Sequence, residues 1–201
     1  MNLLFFDCET NGLPIDYKAS YTDVNNWPRV LSLSWILTDI CGNILNQHYS
    51  LIRPDGWGVP TEKFWVDHGY TQAENMEKGL PIAEVIEKFM ADKHQAAVLV
   101  AHNLNFDHRI VWAEIIRLGL TPKSGMHKIC TMMKSTSHCR LPGKNGKGYK
   151  WPKLEELYQV LFQKSFDGAH NALADVEACR QSFFELMRLG VISINPEEIL
   201  V

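Results

Sequence analysis

The chain has no long hydrophobic run. Nothing in its 201 residues approaches the ~20 consecutive apolar residues of a membrane span, so a spanning helix is excluded and a soluble protein is expected. Its first apolar stretch opens at Leu3 with neither a basic region nor a small-residue cleavage site ahead of it. That argues against export and for a cytoplasmic location. Cysteine is sparse: Cys8, Cys41, Cys130, Cys139 and Cys179 are odd in number and widely scattered, as suits reduced thiols and not a disulfide framework. Internal repeats are absent, and the length suits one well-cored domain, 1–201, and is short for two. Acid is missing from one region. Thr121 to Leu154 carries eight basic residues and no Asp or Glu, whereas the remainder holds 12 basic against 23 acidic residues, a balance of −11 within a total of −3. A cationic segment on an acidic protein is the footprint of polyanion binding, and equally that of a solvated Lys-rich loop.

What the chain does contain begins with Leu3-Leu4-Phe5-Phe6-Asp7-Cys8-Glu9-Thr10-Asn11-Gly12. Four apolar residues closed by an Asn-Gly turn signal predict a strand buried on both faces. Alternation along a strand turns Asp7 and Glu9 to the same side at its carboxyl end. Two neighbouring carboxylates at the edge of a low-dielectric core need a proton, a strong partner or a cation, and a hard divalent metal satisfies both at once. Two ordinary acids at a strand end reaching solvent is the plain alternative.

Further along, Val30–Leu37 and Ile44–Ile52 flank a Cys-Gly-Asn turn and predict an antiparallel hairpin. A short helix opens at Thr61-Glu62 and stops at His68-Gly69. A second, after Pro81, carries Ile82, Val85, Ile86, Phe89 and Met90 on one stripe. Ala96–Ala101 reads as a short central strand parallel to the first. It runs through His102-Asn103 into a helix lasting to about Leu118, which Gly119 ends. Met126–Met132 reads as a last strand, Ser135–Tyr149 as a mobile loop, and Leu154–Leu161 and Leu173–Leu186 as two further helices. Glu74–Lys78 reads as a solvated helix face. Trp57, Trp65, Trp112 and Trp151 read as core or rim packing. This pattern predicts an α/β sandwich on a mixed five-stranded sheet, a hairpin plus parallel strands flanked by helices.

Asp107 follows the Ala96–Ala101 strand at the start of a helix, and ligands of such sheets bind beyond the carboxyl ends of strands. Asp107 and Asp175 each read equally as helix-start caps, and His170 as a surface histidine. His127, Cys130, His138 and Cys139 lack a standard zinc spacing.

Asp7-Cys8-Glu9-Thr10-Asn11-Gly12 resembles the first motif of the DEDDh exonucleases, the DnaQ-like family. His102-Asn103-x-x-Phe106-Asp107 resembles the second motif, and His170-x-Ala172-x-x-Asp175 the third. Three motifs in order, over about Leu3 to Leu189, carry the resemblance. It implies a ribonuclease-H-like fold, two divalent ions (Mg²⁺, with Mn²⁺ able to substitute) and 3′→5′ hydrolysis of nucleic acid releasing nucleoside 5′-monophosphates. In that frame Asp7 bridges both metals, Glu9 and Asp175 complete the first site, Asp107 serves the second, and His170 is the general base. A histidine five positions before Asp175 fits this branch, and Asn171 stands where the tyrosine branch has its tyrosine. The frame also implies that Leu13 wedges by the terminal base, and that Thr10, Asn11, Asn103 and Phe106 lie by the terminal nucleotide. Phe106 reads equally as a core anchor. The chemistry is coherent, because two metals activate the nucleophile and relieve charge on the leaving oxygen, and a histidine of ordinary pKa accepts a proton near neutrality. The expected partner is a nucleic-acid 3′ end, single-stranded in preference and with DNA slightly favoured. The basic 134–153 segment guides the backbone, no membrane is involved, and either a homodimer or a polymerase-associated subunit is possible. The alternatives are an exoribonuclease of the ribonuclease T or oligoribonuclease kind and an inert binding module on the same fold.

Overall fold

A computed structural model describes residues 1–122, 125–167 and 171–195. Five strands, β1 (Asn2–Thr10), β2 (Val30–Asp39), β3 (Ile44–Leu51), β4 (Val98–Ala101) and β5 (His127–Cys130), form one sheet in the order β3-β2-β1-β4-β5. The β1–β2 and β2–β3 pairs are antiparallel, and the β1–β4 and β4–β5 pairs are parallel. The expected mixed sheet is therefore present, with β1 at its centre.

Two helical layers cover the sheet. Leu4, Phe6 and Cys8 of β1 face a core shared with Val85, Ile86 and Phe89 of α3 (Ile82–Lys93) and Ile110, Val111 and Ile115 of α4 (Leu104–Arg117). Leu3 and Phe5 face the opposite layer, where α6 (Leu154–Phe162) and α7 (Ala172–Arg188) contribute Leu157, Val176, Phe183 and Leu186. Period-two alternation of β1 thus feeds two separate cores, which is why its sequence is continuously apolar.

The segment after β5 does not remain extended to Met132, because helix α5 (Thr131–Cys139) starts there. The expected loop from Ser135 thus begins inside a helix. Its remainder is closed on itself, with Lys150 N–H donating to the Leu141 carbonyl at 3.0 Å and Gly143 N–H to Gly148 at 3.0 Å. Gly143 is required there, because a Cβ would stand 2.4 Å from the Lys147 carbonyl oxygen.

The Glu74–Lys78 stretch is more than a solvated face. It belongs to α2 (Gln72–Lys78), which follows α1 (Lys63–Asp67) and is capped by the Thr71 hydroxyl accepting from Glu74 N–H at 3.1 Å. Its Asn75 is wholly buried, and the amide donates to the Leu31 and Ile52 carbonyls, each at 3.0 Å.

Candidate active site

The carboxyl ends of β1 and β4 open into a cleft of about 470 Å³ lined by Asp7, Glu9, Asp107 and Asp175 among others. Asp7 and Glu9 share the β1 face that carries Leu3 and Phe5, so both turn toward the α7 layer, where Asp175 stands in the first turn of α7. The Asn171 side chain caps that helix, accepting from Leu173 N–H at 3.1 Å, and so fixes the turn that presents Asp175. Oxygens of Asp7, Glu9 and Asp175 all lie within 4.8 Å of one another.

Asp107 arrives from the other layer, on the first turn of α4. Pairing of β1 with β4 stops at Phe5–Val100, and the Cys8 N–H beyond it donates to Asp107 Oδ1 at 3.1 Å. The Cys8 thiol adds a second contact to the same oxygen at 3.4 Å. Asp107 is only 3 % exposed and reaches the cleft from across the strand end. The turn that delivers it needs a left-handed residue, and Asn103 occupies that conformation at φ 63°, which Asn tolerates better than most side chains.

Electrostatics follow from this crowding. Burial, then Asp107, Glu9 and Asp175 in turn, holds the Asp7 carboxyl well above the ordinary range. Burial and the Asp175 and Asp107 charges push Glu9 up to about 8. Asp107 is pushed up to about 7 because burial outweighs the two Cys8 hydrogen bonds that favour its charged form. Each shift is caused first by burial and further by like charge nearby, and together they leave the ionised cluster short of positive charge. A divalent cation fits that deficit, since the donor set is hard oxygen throughout and three of its members already converge.

Other residues singled out by the motifs are placed as follows. Asn103 and Phe106 line the cleft, and Phe106 stacks on Tyr17 with ring centroids 6.5 Å apart. Thr10, Asn11 and Leu13 do not line it. The Thr10 hydroxyl donates to the Gly12 carbonyl at 2.8 Å, the Asn11 side-chain carbonyl accepts from Arg29 N–H at 2.8 Å, and Leu13 is 72 % exposed. His170 lies outside the described residues. Cys8 and Met132, which no motif singles out, also line the cleft, and Trp151, which reads as core or rim packing, is an exposed wall of it. The period-two rule that turns Asp7 and Glu9 to one face also sends Cys8 to the other, which is the signal that could have marked its meeting with Asp107.

Comparison with known proteins places this geometry. Within the DNA polymerase III PolC-type of Caldanaerobacter subterraneus subsp. tengcongensis, a stretch is 30% identical over 123 residues, 61% of this chain and 8% of that protein. Escherichia coli exonuclease I in complex with a dA16 oligonucleotide superposes with a TM-score of 0.71 at 19% identity, covering 94% of this chain and 41% of that one. The zinc-bound form of an E. coli exonuclease I complex with single-stranded DNA superposes at 0.69 and 18% identity, covering 94% and 40%. The chain spans less than half the length of these relatives. The sequence profile of the Exonuclease family, the RNase_T group, matches residues 4–183. With that match over most of its length and its sheet order, the chain belongs to the exonuclease family of DnaQ-like proteins with the ribonuclease-H-like fold.

Proposed function

We propose that this chain is a metal-dependent 3′→5′ exonuclease of the DEDDh branch, hydrolysing phosphodiester bonds at nucleic-acid 3′ ends and releasing nucleoside 5′-monophosphates. The observation that carries the reading is the convergence of Asp7, Glu9 and Asp175 within 4.8 Å at the end of β1, with Asp107 in the same cleft from the opposite layer. Asp7, Glu9 and Asp175 would hold one Mg²⁺, and Asp7 with Asp107 a second, Mn²⁺ serving in their place. Two such ions supply a nucleophile at neutral pH and relief of charge on the leaving oxygen. His170, adjacent to the Asn171 cap of α7, takes the proton as general base. Asn103 and Phe106 contact the terminal nucleotide from within the cleft, and Thr10, Asn11 and Leu13, which stand outside its lining, are the further contacts to that nucleotide. Single-stranded DNA is the favoured substrate, in keeping with the oligonucleotides bound by the exonuclease I neighbours.

The test is a panel of 5′-labelled single- and double-stranded DNA and RNA with Mg²⁺, Mn²⁺ or chelator. Stepwise shortening from the 3′ end with release of mononucleotides, abolished by chelator and by Asp7→Asn, is expected. His170→Ala should retain metal binding while turnover falls by about 100- to 10,000-fold. Internal cuts, or binding without cleavage, would refute the assignment.

A further inference from the structure

Trp151 presents an unresolved cost. It is 64 % exposed although it lines the same cleft as the carboxylates, and a large apolar ring left in water forgoes the gain of burial. The backbone beneath it is nevertheless fixed. Pro152, the next residue, is buried, and its carbonyl accepts a hydrogen bond from His102 Nε2 at 3.0 Å. A carbonyl can only accept, so Nε2 carries the proton. The other ring nitrogen, Nδ1, lies 3.0 Å from the hydroxyl of the fully buried Thr131. Burial lowers the His102 pKa to about 4, which keeps the ring neutral and suited to accept from Thr131 at Nδ1. His102 therefore ties the turn after β4 and the head of α5 to the segment bearing Trp151. Phe106 and Met132 add further apolar lining to the cleft.

We propose that Trp151 is a base-stacking platform that makes the cleft select unpaired nucleic-acid ends, and that His102 is the positioning residue that holds it there. The proposal rests on the nuclease reading only in taking nucleic acid as the ligand. Every base offers a π-face, so an exposed indole is tolerant of sequence but not of pairing. In a duplex each base is paired at its edge and stacked on its neighbours, and only the outer face of the terminal pair is open, so a strand that enters the cleft to lay an inner base on the indole must first unpair. Lys153, exposed two residues along and also lining the cleft, offers a charge to the backbone of the same strand.

The experiment measures binding by fluorescence anisotropy in EDTA, with a 5′-labelled single-stranded oligonucleotide and a blunt duplex of the same sequence. Trp151→Ala is expected to weaken single-strand binding about 5- to 150-fold, the value of one stacked base, and duplex binding far less; Trp151→Phe should recover most of the loss. Single strands with one abasic site stepped back from the 3′ end should reveal a position at which Trp151→Ala costs nothing further. His102→Ala should reproduce the loss and add little in combination with Trp151→Ala, whereas His102→Gln, which retains a donor for Pro152, should restore it. Equal losses on single strand and duplex, no abasic position that cancels the effect, or additive losses for the two alanines would overturn the proposal. Intact single-strand selectivity through Trp151 without Mg²⁺-dependent hydrolysis would instead overturn the nuclease reading and leave the platform standing.

Discussion

At the scale of residues, one strand end accounts for most of the site's chemistry. Asp7 and Glu9 are held on the same face by the alternation of β1, and Asp175 meets them from α7. This much was readable from the spacing Asp-x-Glu after an apolar run. The meeting with Asp175 was legible only through the resemblance of the third motif and not from local pattern, because the two positions lie far apart in sequence and only packing of α7 on β1 brings them together. The raised carboxyls carry a consequence for stability. Folding lifts these pKa values above those of the unfolded chain, so the folded protein binds more protons, and stability falls as pH rises toward the folded values of about 7 for Asp107 and about 8 for Glu9. The metal-free protein should therefore lose thermal stability between pH 5 and about 8.5. Mg²⁺ should restore more of it at the alkaline end, where the carboxylates are ionised. Melting temperatures in EDTA and in MgCl₂ across that range check this; a flat EDTA profile would contradict it.

Elements reach this arrangement through clasps the primary pattern did not announce. The stretch from Pro14 to Trp27 is tied to α4 by arginines. Arg109 donates to the Tyr17 and Ala19 carbonyls, each at 2.8 Å, and Arg117 donates to the Trp27 carbonyl at 2.6 Å. Arg117 and Arg29 also flank the buried Glu114, at 2.9 and 2.8 Å. Glu114 thereby joins the entry of β2 to the helix that carries Asp107. Glu114→Ala would leave two partly buried guanidinium groups without their carboxylate and should cost about 3 kcal/mol, read as a lower midpoint in urea unfolding. A change under about 0.5 kcal/mol would mean that the ion cluster is replaceable by water. Helix α5 was missed for a related reason. Thr-Met-Met-Lys-Ser-Thr-Ser-His-Cys is poor in strong helix formers. Its stability comes from burial of Thr131 and Ser135 and from Cys139 packing against the core built with α6 and α7. Tertiary contact overrode propensity there.

Across the whole molecule, the charge asymmetry acquires a location. Lys144, Lys147 and Lys150 stand exposed on the closed loop that leads into Trp151 and the cleft. Lys150 is already paired with Glu156, so Lys144 and Lys147 offer the more available charge. If the loop guides a phosphate backbone, replacing all three lysines by alanine should reduce the slope of log affinity against log salt by about 1.4, two contacts at roughly 0.7 per phosphate on a single strand. Identical slopes for the variant and the wild type would mean that the basic loop is merely solvated.

Local physics settled a good deal without any structure: a doubly buried central strand, a hairpin beside it, amphipathic helices on both sides and acids at strand and helix ends. Those features repeat at periods of two or 3.6 residues and depend only on neighbours in the chain. Which acids share an ion site, which histidine braces the cleft wall, and why an exposed tryptophan stands beside four carboxylates were decided by tertiary structure. Each depends on how two helical layers close over opposite faces of one strand, and that closure is set by packing between residues remote in sequence.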